Sequence, residues 1–387
     1  ALTFDRRRGV VLLFGGLANE TPLNDLWEWD GQRWQRRTVS GPWPPPRTSA
    51  SFAFDDARGV AVLFGGVGSA GLLGDTWLWD GHRWEQVFPS DHPSRRNQAA
   101  ACDDRHRQRV VVFGGVHWQS FYDGTWEWDG SNWSYRCAGP SPRASAAMAY
   151  DSRRHVCIMF GGQTSWQRRP NTNLRETWQW DGAAWTLLDT AGPSPRCNVA
   201  MAYDSLRDRV VLFGGDFYDP GGEQFFYDSW EWDGTRWTQV AALGPAFTEN
   251  SPMFFHDTLR QILLYDRSDS NSVNYGVWSF RTSAVAEPQS LPISATTSHA
   301  VCVSPNPFSR NTAVHFSHSN SRRVALLILS PAGTIVRNLG LGIERPGVRQ
   351  VQWDGRDDHG NPVPAGVYLC FARGVDWSII QKVVKAE

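Results

Sequence analysis

Lysine is almost absent from this chain: of 38 basic residues only Lys382 and Lys385 are lysines, and the rest are arginines. Neither sign of charge is in excess, since 39 acidic residues leave a formal net charge of −1. That balance offers no polybasic surface, so neither a nucleic acid nor an anionic membrane is the expected partner. No apolar run approaches the ~18 residues that a membrane-crossing helix needs. Cysteine is sparse too. Cys102, Cys137, Cys157, Cys197, Cys302 and Cys370 show neither the Cys-x-x-Cys spacing of a zinc site nor the density of a disulfide scaffold. A Cys302–Cys370 pair is left open by the spacing. The ten histidines make no His-Glu-x-x-His or similar ligand pattern. No metal, cofactor or catalytic residue is therefore expected. The chain opens at Ala1 without a Met or a signal sequence, and the expectation is a processed form or a fragment.

What the chain does hold is 21 tryptophans, 36 glycines and 23 prolines, the composition of a turn-rich all-β protein. At 387 residues it is too long for one compact core and calls for several domains or a repeat array. A repeat is visible. A Gly-Gly pair follows an apolar run at Gly15, Gly65, Gly114, Gly161 and Gly214, with spacings of 50, 49, 47 and 53 residues. After each pair comes a variable stretch and then Trp-x-Trp-Asp-Gly, whose second tryptophans are Trp29, Trp79, Trp128, Trp180 and Trp232. Another Trp follows each of those glycines three residues on (34, 84, 133, 185, 237). A worn sixth copy runs from Pro252 to Trp278, with Asp266-Arg267 in place of the glycines.

Each unit reads as four short strands. The first ends in an apolar-aromatic-Asp sequence such as Met201 to Asp204, the second is of the type Arg209 to Phe213, and the third is the Trp-x-Trp segment. Asp-Gly is the tight turn into the fourth. Glycines after the second strand let the chain kink where a side chain would meet a neighbour. A four-stranded sheet cannot cover both its faces, so neighbouring sheets must stack on it, and radial stacking leaves only short edges. Cys102 is read at the position of Phe54, Tyr150 and Tyr203, and Cys157 at that of Val210, both as small buried apolar substitutes.

This glycine doublet with spaced aromatics resembles the kelch repeat, over residues 1–283. The resemblance implies a β-propeller like the central domain of galactose oxidase, with about six four-stranded blades, closed by a strand borrowed from the other terminus. A seventh unit upstream stays open. Residues 284–298 have a linker composition. From 299 to 387, short alternating strands suit a small β-sandwich. Pro305-Asn306-Pro307-Phe308, Trp353-Asp354-Gly355 and Pro364-Ala365-Gly366-Val367-Tyr368 resemble the Ig-like C-terminal domains of secreted bacterial proteins, a group similar to the Ig-like domain of flagellar hook-cap proteins. Several of that group are sorting signals for type IX secretion. The resemblance thus implies a bacterial protein, exported or held at the cell surface, whose C-terminal domain meets the secretion machinery or serves as a spacer.

Function is expected in the long loops after the glycine pairs, which connectivity places on one mouth with the connections between blades. They carry Trp118, Tyr122, Trp166, Arg168, Tyr218 and Phe225, rings and charges suited to stacking on a sugar or gripping a peptide. An arginine recurs eight residues before the first-strand Asp, at Arg47, Arg95, Arg143 and Arg196. It suits a carboxylate or sulfate ligand. It also suits structural pairing with Asp25, Asp75, Glu176 and Asp228, and the recurrence with the scaffold favours that pairing. The carboxylate-rich loop Asp354 to Asp358 reads as a turn rather than a calcium site. The expectation is a monomeric binding or adhesion protein for a glycan or protein, without chemistry. The alternatives are a kelch-type epimerase, lyase or hydrolase acting on an acidic sugar, or a copper-radical oxidase. Copper is disfavoured because His117, Tyr122 and Tyr218 lie in suitable loops but no cysteine does.

Overall fold

The computed structural model describes residues 1–241, 253–266, 276–280 and 300–386, apart from 19, 32, 167–171, 220–221, 258–259, 305, 307, 319–321, 324, 331–334, 341–342, 345–346 and 374–377. Among these residues the regular structure is all strand. The chain forms two compact bodies: Ala1–Phe226, Trp230–Gln239 and Glu249–Tyr265 in one, and Tyr227–Ser229, Val240–Thr248 and Asp266–Glu387 in the other.

The first body is built from antiparallel sheets, one to each sequence repeat. In the fourth, Ala147–Asp151, Val156–Phe160, Thr177–Trp180 and Trp185–Asp189 lie side by side in chain order. The sixth contributes Met253–His256 and Gln261–Asp266, which pair antiparallel. The first strands Leu2–Asp5, Ser51–Asp55, Ala100–Asp104, Ala147–Asp151, Ala200–Asp204 and Met253–His256 each pack against the next, and the last packs against the first. That cycle closes a propeller-like ring round an axial channel. The four strands of the first sheet all lie within Leu2–Arg37, so among the described residues no borrowed strand completes it.

Tryptophan joins neighbouring sheets. The second Trp of each motif pairs with the third across the Asp-Gly turn, as Trp180 with Trp185 at 5.6 Å between ring centroids. The third Trp then packs on the Phe that precedes the glycine doublet of the preceding sheet: Phe14–Trp84, Phe64–Trp133, Phe113–Trp185 and Phe160–Trp237, at 5.1, 5.3, 4.9 and 5.6 Å. Its indole N–H reaches back as well. Trp133, Trp185 and Trp237 donate to the hydroxyls of Thr76, Thr125 and Thr177 at 3.0, 2.8 and 2.7 Å. Leu26 takes the threonine position in the first sheet, and Trp84 Nε1 has no partner among the described residues.

The turn between first and second strands carries a repeated ion pair. Asp5, Asp55, Asp104, Asp151 and Asp204 are buried and pair with the arginine three residues on, at 2.6–2.8 Å. Each of the first four arginines also covers the Asp-Gly turn of the following sheet. A Cβ on Gly130, Gly182 or Gly234 would come within 1.8, 2.4 or 2.3 Å of Arg58, Arg107 or Arg154. Those glycines have φ near +100°, so two constraints hold the position.

In the second body, Ala300–Ser304, Thr312–His318 and Gly347–Trp353 form one sheet, and Ile335–Asn338, Ala325–Leu329, Gly366–Arg373 and Ser378–Lys385 the other. Leu326, Ile328, Trp353, Cys370 and Val383 fill the space between them. Cys370 is a free thiol pushed up to about 12 by burial; the Cys302 side chain lies outside the described residues.

Trp180 is fully buried, with its indole N–H on Glu127 Oε1 of the preceding sheet at 2.9 Å. Trp180→Ala is expected to cost about 3–5 kcal/mol in urea unfolding, as other large-to-small core changes do. A change under about 1 kcal/mol would contradict the role of these rings as cement between sheets.

Candidate functional site

The glycine doublets and the recurrent arginines form one device. Gly16, Gly66, Gly115 and Gly162 donate their N–H to the carbonyls of Arg47, Arg96, Arg143 and Arg196 in the connection to the next sheet, at 2.9–3.0 Å. The glycine before each has φ of +60° to +70°, and a Cβ there would sit 2.5–2.6 Å from the same carbonyl. Each arginine's guanidinium points the other way, to the carbonyl of Gly65, Gly114, Gly161 or Gly214 in its own sheet, at 2.9–3.1 Å. Arg47 adds a two-oxygen pair with Asp75 at 2.7 and 2.8 Å, and Arg143 pairs with Glu176 at 2.7 Å. Burial pushes the Asp75 carboxyl up, but Arg47 and the Trp77 indole N–H overcome it and hold it below the usual range. Arg47, Arg143 and Arg196 are fully buried.

In the third sheet the member of this set is Arg96, not Arg95. Arg95 is exposed, whereas Arg96 is buried with its Nε on Ser94 O and Nη1 on Gly114 O, both at 2.9 Å. The register shows why. Asp104, opposite Arg109, is the turn aspartate that pairs with Arg107, so counting back from Asp103 lands one residue short. Pro93-Ser94-x-Arg96, beside Pro140-Ser141-x-Arg143 and Pro193-Ser194-x-Arg196, is the signal that fixes the register. The same slip misplaced Cys102. It sits opposite Val111, level with Ala53, Ala149 and Ala202, and the residue in the aromatic position is Asp103. Arg96 has no carboxylate beside it because Gly124 stands where other sheets have Asp75 or Glu176. Its guanidinium lies 4.2 Å from the centre of the Tyr122 ring, and burial lowers it to about 10. Tyr122 is thereby half-buried against the scaffold.

The loops after the glycine pairs of the second, third and fifth sheets fold as two-stranded hairpins. Val116–His117 pairs with Ser120–Phe121, and Trp118 sits at the tip with a φ of +58°, rare for a non-glycine residue. Trp118 is 71% exposed. Trp166, from the loop of the next sheet, is 43% exposed and donates its indole N–H to the Trp118 carbonyl at 3.0 Å. The Phe121 ring stands 5.4 Å from Trp166. Phe121 and Trp166 thus meet across two neighbouring loops, and the exposed Trp118 is tied to them through its backbone carbonyl. Phe225 is exposed at the end of the hairpin that pairs Asp216–Asp219 with Gly222–Phe225. Tyr218 lies in that hairpin and its side chain is outside what is described; Arg168 falls outside the described residues.

The opposite mouth has polar features that sequence reading passed over. The axial channel encloses about 220 Å³ and is walled by side chains of all six first strands. Arg6, Asp103 and Arg105 line it. Asp103 Oδ2 accepts the Asp56 N–H at 3.3 Å, while its buried Oδ1 has no partner among the described residues. Burial, with Asp55 and Asp56 nearby, pushes the carboxyl up to about 8 against the opposing pull of Arg105. The Arg105 guanidinium lies 5.2 Å from the Tyr150 ring centre, and burial and Arg6 lower it. Arg6 itself pairs with Asp257.

In the second body Phe308, Trp353 and Tyr368 stack in sequence at 5.2 and 5.3 Å, and Tyr368 Oη donates to Pro364 O at 2.7 Å. The motif residues that carried the resemblance are thus its core. Residues 308–373 match the FlgD Ig-like domain family. The loop Asp354 to Asp358 within that span is a set of turns: Asp357 Oδ1 accepts the N–H groups of His359 and Asn361 at 2.9 and 2.8 Å. Among the described residues no cluster of three His, Cys, Asp or Glu could hold a metal. In fold the chain is similar to the solved structure of YjhT, at 16% identity and a TM-score of 0.53, over 68% of this chain and 89% of that one.

Asp103 yields a pH-dependent prediction. Below about pH 4 its carboxyl is protonated whether the chain is folded or not. Between about 4 and about 8 the unfolded carboxyl ionises while the folded one keeps its proton, so the folded protein loses stability as pH rises. Asp103→Asn, which cannot ionise, should match the natural protein near pH 4. It should gain about 1–3 kcal/mol by pH 8, less than the full pKa difference because water reaches the channel. Thermal melts across that range check this; a gain independent of pH would contradict it.

Proposed function

We propose that this is an exported, non-catalytic binding protein that recognises a glycan on the long-loop face of its ring. The observation that carries the reading is the Trp118–Phe121–Trp166 platform. An indole at a hairpin tip, largely in water and held in a left-handed backbone conformation, is costly to keep unless something covers it. Sugar rings present a face of C–H groups that stacks on such platforms, and the edges of the loops supply polar contacts. The kelch-like reading of the repeat agrees with that use of the loop face. The arginines at 47, 96, 143 and 196 do not enter the ligand surface, because their guanidinium groups are spent inside the sheets.

The C-terminal body is proposed as the export or anchoring module. Its match to an Ig-like domain family and its resemblance to secreted bacterial C-terminal domains support that role. The reading predicts that a chain ending before residue 299 stays in the cell, while the intact chain is found outside or on the surface. Equal export of both, followed by immunoblotting of cell fractions, would remove the sorting role.

For the propeller-like body the test is a glycan array with the intact chain, followed by titration of the best ligand. Trp118→Ala and Trp166→Ala should each weaken binding by about 2 kcal/mol, roughly 30-fold, without moving the thermal midpoint. Glycan binding indifferent to both changes would overturn the assignment of the platform. Turnover of a sugar acid, or stoichiometric copper in the purified protein, would replace this reading with an enzymatic one.

A further inference from the structure

The axial channel is a second feature that packing does not explain. At the position of Asp103 the other described first strands carry Phe4, Phe54, Tyr150, Tyr203 and Phe255, each ring helping to fill the space beside its neighbour. The third sheet gives up that ring for a carboxyl with a buried oxygen left unpartnered. Such a substitution opposes stability, which is the mark of residues kept for another purpose.

Two residues along, Arg105 lines the same channel, and among the described residues its guanidinium contacts the Tyr150 ring and makes no hydrogen bond or ion pair. Opposite charges two positions apart on one strand end would ordinarily meet. Here each is held away from the other: Asp103 Oδ2 is fastened to the Asp56 N–H, and the Arg105 guanidinium rests against the Tyr150 ring. Both line the same open channel of about 220 Å³, just under the usual ligand-pocket range of about 300–1,000 Å³ and large enough for one small molecule. The wall beyond them is apolar, with Phe52, Phe54, Met148 and Met201 among its side chains.

We propose that the channel binds a small zwitterion, an α-amino acid with an apolar side chain. Its ammonium group meets the Asp103 carboxyl, its carboxylate meets the Arg105 guanidinium, and its side chain lies along the Phe and Met wall. Both charges are needed. An amine alone would leave Arg105 facing an added cation, and an acid alone would leave the buried Asp103 carboxyl without a cation to ionise against. Arg6 is already paired with Asp257 and adds positive potential without being the primary contact. An ammonium arriving at a protonated Asp103 drives its proton off to solvent, so binding near neutral pH releases up to one proton, set by Asp103 with Asp55, Asp56 and Arg105 around it.

Calorimetry on the intact chain tests this with L-leucine, L-methionine and L-phenylalanine, alongside 3-methylbutylamine and 4-methylpentanoate, which keep one charge of leucine each. The expected result is binding of at least one amino acid, with both single-charge analogues at least about tenfold weaker. Asp103→Asn and Arg105→Gln should each weaken the amino acid by the same factor or more, while Trp118→Ala leaves it unchanged. Repeating the titration in buffers of different ionisation enthalpy should show proton release that vanishes in Asp103→Asn. No binding of any amino acid, equal binding of the amine or the acid, or binding indifferent to both channel variants would overturn the proposal. Because Asp103→Asn is expected to be the more stable protein, lost binding there cannot be ascribed to unfolding. Failure here also leaves the glycan platform on the other mouth untouched.

Discussion

A backbone carbonyl pressed against a residue with no side chain holds this ring together. The carbonyl belongs to an arginine in the connection between sheets, and the residue is the first glycine of a doublet in the sheet just left. The second glycine donates its N–H to that carbonyl, and the arginine's guanidinium then takes the matching glycine carbonyl of the sheet just begun. One residue thus binds two sheets through its two ends. A lysine could not do this, since it lacks the planar fork that reaches a carbonyl, a serine and a carboxylate at once. The near-total use of arginine has at these positions a structural reason.

That contact also decides what the loop face can be. The guanidinium groups of Arg47, Arg96, Arg143 and Arg196 are drawn inside, and among the described residues the loops present the exposed rings of Trp118, Trp166 and Phe225. Trp118 and Trp166 meet because the connections on either side of them are pinned to consecutive glycine doublets. The third sheet departs from its neighbours twice. Gly124 removes the acid that would face Arg96, and the Tyr122 ring takes its place over the guanidinium. Asp103 removes a ring from the channel wall and leaves a carboxyl there that burial keeps protonated. Both departures lie in the sheet that also carries the most exposed tryptophan.

Repeat period, strand order within a unit and the purpose of the glycines could be read from sequence because each rests on a local rule: alternation along a strand, the tight Asp-Gly turn, the left-handed φ that only glycine adopts cheaply. The Ig-like motif was readable for a similar reason, since Phe308, Trp353 and Tyr368 stack on one another and tolerate few substitutes. The register of the third first strand was not. Two consecutive aspartates, Asp103 and Asp104, both fit the turn position; pairing with Arg109 and Arg107 separates them, and the one sequence signal that does so is the Pro-Ser-x-Arg pattern upstream. The slip of one residue carried Arg95 and Cys102 with it, since a strand shifted by one turns every side chain to the other face.

The sequence by itself determined that this chain is all-β, that its units repeat, and that a different, Ig-like segment follows them, because those properties are written in periodicities of two and of about fifty residues. Tertiary structure decided where the charges go. Whether a recurrent arginine faces a ligand or the inside of a sheet depends on which carbonyls and carboxylates fold back upon it. Whether Asp103 and Arg105 pair or stand apart depends on an amide from the second sheet and a ring from the fourth. Such partners lie some fifty residues away along the chain, beyond the reach of any local rule, and the closing of the ring alone brings them together.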